Sequence, residues 1–590
     1  MEKVAGGYKL HEKIKWQGIW TIVLAIGIAV LYGSRVSSLH TVWELGDEAG
    51  YLWNAAYFTG TNWDNVASVY PYYGYGYSVI LLPIFIFAEN GIQLIQGAYV
   101  VNILCVIGMY FILIKLLTEL GEKVYSAYIP VIAFIACLAP YMASSTLKVI
   151  CEAFLSFWYC LLLYLLYLTL KKQKMFFSAL LGICSSFIFF IHTRAIVVLG
   201  MLVMTGLFSV MWKDRKYLKY FLGFLFWAGI VFIVLYIVKS NIINYKNLLI
   251  PADETIAKQA NLLSVSFFLD RLKWFKPVDY FACFMAKLLY VVYATGAVLF
   301  PGCICMGKEV YHILKKHDNN LEDCAAAIVK IFIMVSFAVM LIACTFNGTG
   351  NDIRYAVYGR YFEYMFPALL TFSLYFFISY DNEKLNKKMI LVCIAITLII
   401  GLGVRDWCIS YLKDQSVYVD TYRIAAISRP VLTSKELGSM LESIALISGA
   451  LLFSYWAVYR KKCGKWIVIL LVGMTVWTNT QVCIDKIQEV QDKQIGDKEI
   501  AEYILKYRDN QKVYMIDDDS FRYSFYYSRI QVLLKEIPLH VIQPEDNSTI
   551  EEGSYVLAYT TTKLKDSLLK EYKLIRSGSA FLLYQKGRGK

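Results

Sequence analysis

Residues 221–238 read FLGFLFWAGIVFIVLYIV and contain no charged side chain. A helix of this length is about 27 Å long, close to the thickness of the hydrocarbon core of a bilayer. In lipid, every backbone N–H and C=O group needs a partner within its own segment, and a helix provides one. The stretch therefore predicts a membrane-spanning helix, and similar stretches recur along the whole chain.

The composition of the chain agrees with many such helices. Of its 590 residues, 58% are hydrophobic and 17% are charged, whereas about a quarter of the residues of a soluble domain are charged. The apolar blocks predict about thirteen spans, at residues 17–36, 92–117, 126–143, 150–170, 175–193, 195–212, 218–238, 281–302, 326–346, 363–380, 388–404, 440–459 and 465–483. We therefore expect an all-α polytopic membrane domain over residues 1–484.

Lysine and arginine residues are concentrated in alternate connectors between these spans. Residues 3–15 and 171–174 are strongly basic, whereas no Lys or Arg occurs between Arg35 and Lys115. By the positive-inside rule, the N-terminus is cytoplasmic and the loop after the first span lies outside the cytoplasmic membrane. The same distribution accounts for the net charge of +13. The lipid bilayer is therefore the expected partner, and nucleic acid is not.

The first outer loop covers residues 37–91 and contains an apolar segment, Tyr77–Phe87, with Pro83 inside it. The segment is too short to cross a bilayer, so it predicts a helix that lies at the membrane interface.

Charged residues become frequent from Asp485 onward, and the apolar runs shorten. Short β-branched and aromatic runs predict strands, and amphipathic runs predict helices. The strands are expected at 511–516, 554–559 and 580–584, and the helices at 499–507 and 563–572. Residues 485–590 are therefore predicted to form a small α/β domain, which the odd number of spans places outside the cytoplasm.

The loop after the first span contains two adjacent carboxylates, Asp47 and Glu48, within the sequence LGDEAGYLWNAA. Neighbouring carboxylates repel each other, and a carboxylate in a partly dry cleft can act as a general base or as a metal ligand. The simpler alternative is that Asp47 is the N-cap of a helix. The sequence leaves both interpretations open.

Aromatic residues follow in the run Tyr70–Tyr77, which includes Tyr72, Tyr73 and Tyr75. Such a run is typical of the aromatic belt at the headgroup level. Its ring faces are also candidates for stacking on a sugar, and the two roles are compatible.

Glu152 lies near the outer end of an otherwise apolar span. A charge at this depth is costly unless it faces a cavity, which makes Glu152 a second candidate acidic site. The alternative is an ion pair with Lys148, four residues earlier.

Three arginines lie near the predicted outer ends of spans, against the positive-inside trend: Arg194, Arg354 and Arg360. Arginine binds phosphate through two parallel hydrogen bonds and stays charged. An outward cavity lined by arginines suits a lipid phosphate, and the alternative is snorkelling to the headgroups.

These features occur in a recognisable order. An Asp47-Glu48 pair follows the first span, the Tyr70–Tyr77 stretch leads into an interfacial helix, Glu152 tops the fourth span, Thr193-Arg194 follows the fifth and Gly359-Arg360-Tyr361 precedes the tenth. The order resembles the GT-C fold of integral membrane glycosyltransferases, in the branch of aminoarabinose lipid A transferases and protein O-mannosyltransferases.

The resemblance implies an enzyme that moves a sugar from a polyprenyl-phosphate donor to a glycan, lipid or protein acceptor outside the membrane, with inversion. Asp47 then corresponds to the general base, and Glu48 positions it or shares a cation with it. Some members bind a divalent metal at these carboxylates, so both are candidate ligands. The residues implied to hold the donor phosphate are Arg194, Arg354, Arg360 and Tyr361. The stretch around Pro71 departs from the family because it lacks a neighbouring lysine.

Two other functions are compatible with these residues. A transporter or flippase of lipid-linked sugars also uses intramembrane arginines, although repeat symmetry with broken helices, typical of transporters, is not visible here. A non-catalytic cell-envelope assembly protein would use the C-terminal domain for binding, and Asp47 would then be dispensable.

Overall fold

The computed structural model describes residues 2–42, 45–66, 74–121, 128–212, 216–249, 273, 275–315, 320–348, 356–380, 383–412, 416–419, 425–427, 431–458, 463–517, 525–544, 549–561 and 571–587. Helices make up most of this part of the chain. In chain order they are α1 Glu2–Val36, α2 Leu45–Thr59, α3 Gly76–Phe87, α4 Gly91–Leu120, α5 Ile129–Leu138, α6 Pro140–Thr146, α7 Glu152–Lys172, α8 Met175–Ile191, α9 Ile196–Trp212, α10 Lys216–Leu249, α11 Pro277–Ala294, α12 Leu299–Lys315, α13 Leu321–Gly348, α14 Phe366–Ser379, α15 Glu383–Asp406, α16 Ser434–Val458, α17 Gly464–Lys493, α18 Ile495–Tyr507 and α19 Phe525–Leu534.

The predicted polytopic helical architecture is confirmed, but the count of thirteen spans is not. In the described residues, ten helices are long and apolar enough to cross a membrane, or eleven if the bent pair α5 and α6 forms one span. The predicted segments 175–193 and 363–380 correspond to the shorter apolar helices α8 and α14. Residues 366–378 of α14 are buried throughout, as expected for a helix that is apolar on every side and lies inside a bundle.

Two predicted spans are interrupted for local reasons. The axes of α5 and α6 differ by 59°, because Ala139 precedes Pro140 and adopts an extended conformation, which a residue before proline favours. The predicted span 281–302 is not continuous, since α11 ends at Ala294 and α12 begins at Leu299. Between them, Gly296 and Ala297 have φ angles of 59° and 62°, which a right-handed helix excludes.

The C-terminal part contains the predicted small α/β unit. Five strands form its sheet: β3 Val513–Ile516, β4 Leu539–Ile542, β5 Tyr555–Tyr559, β6 Tyr572–Ser577 and β7 Phe581–Lys586. Their order is β4-β3-β5-β7-β6, in which β3 pairs in parallel with β4 and β5, and β7 pairs antiparallel with β5 and β6. A separate two-stranded ladder joins β1 Ser416–Val419 and β2 Val431–Thr433.

Predicted and observed elements of this unit agree at β3, β5, β7 and α18, whereas β4 and β6 were not predicted. The predicted helix at 563–572 lies mostly outside the described residues, and its last residue, Tyr572, begins β6. Helix α17 continues from the apolar bundle past residue 484 without a break, so the proposed boundary between residues 484 and 485 falls inside a helix. That boundary, and the placement of the unit outside the cytoplasm, stay predictions.

The C-terminal part contacts the backbone of the loop after α1 through the side chain of Gln491, near the end of α17. Its Oε1 accepts hydrogen bonds from the backbone N–H groups of His40 and Thr41, both at 3.0 Å, and its Nε2 donates to the carbonyl of Thr41 at 2.7 Å. Gln491 is only 1% exposed. The side-chain amide of Gln491 therefore forms hydrogen bonds with the backbone of the segment that leads into α2, as a neighbouring β-strand would.

A second attachment lies further along the same loop. The indole N–H of Trp63 donates to the carbonyl of Lys535 at 2.6 Å, and the ammonium of Lys535 donates to the carbonyl of Ala88. Helix α19, which ends just before Lys535, packs along α2. The loop between α1 and α4 is thus held between the helical bundle and the C-terminal part of the chain.

Replacing Gln491 by leucine, which has a similar size, should loosen residues 38–42. The change leaves two buried N–H groups without partners, each worth about 1–3 kcal/mol. It also removes the shorter of two hydrogen bonds to the carbonyl of Thr41, which Tyr99 contacts at 3.5 Å. We expect amide hydrogen exchange in this segment to accelerate by at least about tenfold, measured by mass spectrometry on the full chain in nanodiscs.

The matched control is Gln488→Leu, one turn earlier on α17, because Gln488 bonds only side chains, those of Ser38 and Asp492. It should leave exchange at residues 38–42 almost unchanged. Equal exchange rates in Gln491→Leu and the wild type would contradict the attachment described above.

Candidate functional site

Asp47 lies in the first turn of α2, where a negative side chain is favoured by the helix dipole. Because α2 begins at Leu45, Asp47 is inside the helix and is not its N-cap. Its carboxylate forms an ion pair with Nη1 of Arg360, a residue 313 positions later in the chain. The side chain of Asp47 is 25% exposed and that of Arg360 is 8% exposed, so the carboxylate lies at the edge of a buried cluster.

Glu152 is at the centre of that cluster. Its Oε1 accepts a hydrogen bond from Nε of Arg360 at 2.8 Å and another from Nη2 of Arg194 at 2.7 Å. Glu152 is the first residue of α7, and its side chain is 6% exposed. Glu152 therefore forms its ion pairs with Arg194 and Arg360, whereas the predicted alternative was an ion pair with Lys148. With Asp47 included, two carboxylates and two guanidinium groups balance each other in charge.

A short 3₁₀ turn, Thr193–Ala195, places Arg194 between α8 and α9. His192 caps this turn, with its Nδ1 accepting the backbone N–H of Arg194 at 3.2 Å. The guanidinium then lies 5.7 Å from the ring centre of Tyr361 and 5.8 Å from that of Tyr364. Aromatic faces stabilise a cation at this range, so Tyr361 supports Arg194 in this arrangement.

A second 3₁₀ turn, Gly359–Tyr361, carries Arg360. A Cβ atom on Gly359 would lie 2.5 Å from the ring of Tyr290 and 2.6 Å from a carboxylate oxygen of Glu363. The hydroxyl of Tyr290 donates to that same carboxylate. Glycine is therefore required before Arg360, because any side chain would collide with the Tyr290–Glu363 pair.

Glu48 does not join Asp47 at the cluster. Its side chain is fully buried and its Oε1 accepts the backbone N–H of Val149 at 2.7 Å. The bond ties α2 to the turn that precedes α7, so Glu48 is placed to position both helices. Adjacent residues on a helix point in directions about 100° apart, which explains why the two carboxylates separate.

The aromatic run after α2 is only partly described, since Tyr72 and Tyr73 lie outside the described residues, as does Arg354. Tyr75 does not offer a ring face for a sugar: it is 3% exposed, packs against Phe58 and Phe190, and donates to the carbonyl of Leu235 at 2.9 Å. The preceding Gly74 fits against the backbone of Phe190 and Ile191, where an added Cβ would lie 2.3 Å from a carbonyl oxygen. This close approach buries Tyr75 and overturns its predicted stacking role.

A divalent metal at Asp47 and Glu48 does not fit the geometry of the described residues. Among them, no group of three or more His, Cys, Asp or Glu side chains comes together, and the two carboxylates bind Arg360 and Val149. A divalent metal at these carboxylates stays a prediction that this geometry does not support.

Replacing Glu152 by glutamine should destabilise the protein by about 3–5 kcal/mol, because it leaves two buried guanidinium groups facing a neutral amide. Adding Arg194→Met removes one of those charges, so the double variant should be more stable than the sum of the single effects. The midpoint of thermal unfolding in detergent, followed by intrinsic fluorescence, measures both.

Glu489→Gln is the matched control, since Glu489 pairs with Lys486 and Lys493 at an exposed position of α17. Exposed pairs contribute little to stability, so this variant should unfold like the wild type. An additive effect of Glu152→Gln and Arg194→Met would argue against direct coupling of the two side chains.

The fold of this chain is similar to that of proteins of known structure. No protein-family model and no curated protein sequence matches it. Its structure is similar to that of ArnT from Cupriavidus metallidurans bound to undecaprenyl phosphate, with a TM-score of 0.58, 10% sequence identity and coverage of 96% of this chain and 97% of that one. The apo state of the same protein gives a TM-score of 0.55, 12% identity and coverage of 95% and 97%. The chain is a multi-pass membrane protein with the GT-C fold of membrane glycosyltransferases.

Proposed function

We propose that this protein transfers a sugar from a polyprenyl-phosphate donor to an acceptor on the outer side of the cytoplasmic membrane. The observation that carries the proposal is the convergence of Asp47, Glu152, Arg194 and Arg360 from four separate segments. Of these four side chains, Asp47 is the most exposed. The ArnT structure with the higher TM-score is bound to undecaprenyl phosphate, which supports a lipid phosphate as the donor carrier.

Asp47 is the proposed general base. It accepts the proton of an acceptor hydroxyl while the hydroxyl oxygen forms a bond to the anomeric carbon of the donor sugar. The bond from that carbon to the phosphate oxygen breaks, and polyprenyl phosphate leaves with the electron pair. Attack from the face opposite the phosphate inverts the anomeric centre. A base within hydrogen-bonding reach of the attacking hydroxyl is what this step requires.

Arg360 and Glu152 are proposed to hold Asp47 in place for this step. Arg360 contacts Asp47 through one nitrogen and Glu152 through another, so its guanidinium plane is fixed from two sides. A base whose position is fixed before the substrate arrives needs no rearrangement in the transition state. Arg360 is thus assigned to Asp47 in this proposal, and the donor phosphate requires other cations.

The acceptor is proposed to carry a hydroxyl group and to belong to a glycan, a lipid or a protein. The distribution of Lys and Arg supports a position of the loop with Asp47 outside the cytoplasm. The ion pairs of Lys171 with Glu119 and Glu322 belong to the opposite, basic side of the bundle.

Asp47→Asn should reduce sugar transfer by about 10²–10⁴-fold, because the amide cannot accept the proton. Donor affinity should stay within about twofold of the wild type, since the side-chain volume is kept. The assay uses the purified full chain in vesicles with radiolabelled polyprenyl-phosphate hexose, aminosugar and pentose donors and extracted cell-envelope acceptors.

Glu89→Gln is the control, an exposed carboxylate just before α4 in the same outer loop, and it should transfer sugar like the wild type. If Asp47→Asn were as active as the wild type with every productive donor, Asp47 would not be the base, and the transport and assembly functions would become the better explanations.

A further inference from the structure

Two lysines of α10 are buried, Lys239 at 6% and Lys246 at 1% exposure. They are seven residues apart, which places them on one face of the helix, about 10 Å apart along its axis. Helix α10 has 34 residues and is about 51 Å long, so its last turns extend beyond a hydrocarbon core of about 30 Å. Both lysines lie in residues 239–249 of α10, which follow the apolar stretch 221–238.

Neither ammonium group has an ion-pair or hydrogen-bond partner within the described part of the chain. Their described neighbours are aromatic rings: Lys246 lies 4.4 Å from the ring centre of Trp53, and Lys239 lies 5.2 Å from that of Phe189. A ring face stabilises a cation only in part, and all three N–H bonds of each ammonium stay available to an acceptor.

Other buried cations of the described residues do have polar partners. Lys287 donates to the carbonyl of Ala356 at 3.2 Å, and Lys330 binds Glu309 at 2.6 Å. Arg529 binds Asp497 at 2.8 Å. Buried charges without partners are costly and are kept where they meet a ligand, so Lys239 and Lys246 stand out as a pair prepared for an anion.

Both lysines border the helices and turns that carry the proposed catalytic cluster. Trp53, which supports Lys246, is on α2 six residues after Asp47, about 9 Å along the helix axis. Phe189, which supports Lys239, is one turn before His192, the residue that caps the turn of Arg194. Inverting transfer needs the base and the leaving phosphate on opposite sides of one sugar, so a phosphate site on elements that neighbour the cluster suits this reaction.

We propose that Lys239 and Lys246 bind the phosphate group of the lipid-linked donor. The assignment rests on the proposed function and deepens it, because the two described arginines expected to bind this phosphate are engaged by carboxylates: Arg194 by Glu152, and Arg360 by Glu152 and Asp47. The two ammonium groups then neutralise the charge that develops on the phosphate as it leaves.

The first test is the stability of the ligand-free protein. Lys246→Met keeps the length of the side chain and removes an unpartnered buried charge, so the midpoint of thermal unfolding should stay the same or rise. A lysine that serves only the fold would give the opposite result, and a lowered midpoint would overturn the proposal for Lys246.

The second test is binding of undecaprenyl phosphate to the full chain in nanodiscs of neutral lipid, followed by tryptophan fluorescence. Lys239→Met and Lys246→Met should each weaken binding by about tenfold or more, and Lys246→Arg should retain most of it. Lys219→Met is the matched control, since Lys219 is an exposed lysine near the other end of α10 that also contacts an aromatic ring, that of Tyr220. It should bind like the wild type.

Two further probes identify what the lysines recognise. Undecaprenol, which lacks the phosphate, should bind weakly and equally to all variants. Inorganic phosphate should compete only at much higher concentration than the lipid. Wild-type affinity of both methionine variants for undecaprenyl phosphate, or equally tight binding of inorganic phosphate, would overturn the assignment.

The outcomes also separate this assignment from the proposed function. If the lysine variants bind normally and Asp47→Asn is inactive, the phosphate site is elsewhere and the transferase proposal stands. If the lysine variants lose the lipid and Asp47→Asn transfers sugar normally, the lysines do bind the lipid phosphate and the assigned base is wrong.

Discussion

The arrangement of the site depends on one carboxylate, that of Glu152, which is shared by Arg194 and Arg360. These three side chains come from α7 and from two 3₁₀ turns more than 160 residues apart in sequence. In a region of low polarity the ions attract strongly and none can be removed without leaving an unpaired charge. The cluster therefore fixes the positions of both turns, and through Arg360 it fixes Asp47 as well.

The charged residues of this site could be found from the sequence because charges are rare beside apolar spans and run against the positive-inside trend. Their pairing could not, since a pattern of single residues carries no information about partners 313 positions apart. The sequence predicts a phosphate ligand for Arg360 and does not reveal its contacts with Asp47 and Glu152. The sequence does not single out Lys239 and Lys246, because their burial depends on contacts with Phe189 and Trp53, which belong to other helices.

The fold shows a similar division. Apolar blocks of sufficient length predict where helices cross, because the bilayer imposes one length on all of them. Breaks inside such blocks follow local backbone geometry, as at Pro140 and at Ala297 with its left-handed φ angle. A hydropathy pattern does not predict them. Tyr75 is a comparable case: its burial follows from the contact of Gly74 with the backbone of α8, which composition alone does not reveal.

Arginine and lysine have separate places in this molecule, and the difference follows from their chemistry. The planar guanidinium of Arg360 offers donors in fixed directions and can bridge two carboxylates at once. The ammonium of lysine is a point charge on a flexible stem, and it can follow a phosphate whose distance from the sugar increases during the reaction. Rigid cations therefore suit the framework around the base, and adaptable cations suit the leaving group. The binding of the Thr41 backbone by Gln491 extends the rigid part to the segment that leads into α2, so that the C-terminal part of the chain helps to hold the proposed base, while the lysines of α10 are proposed to bind the lipid phosphate.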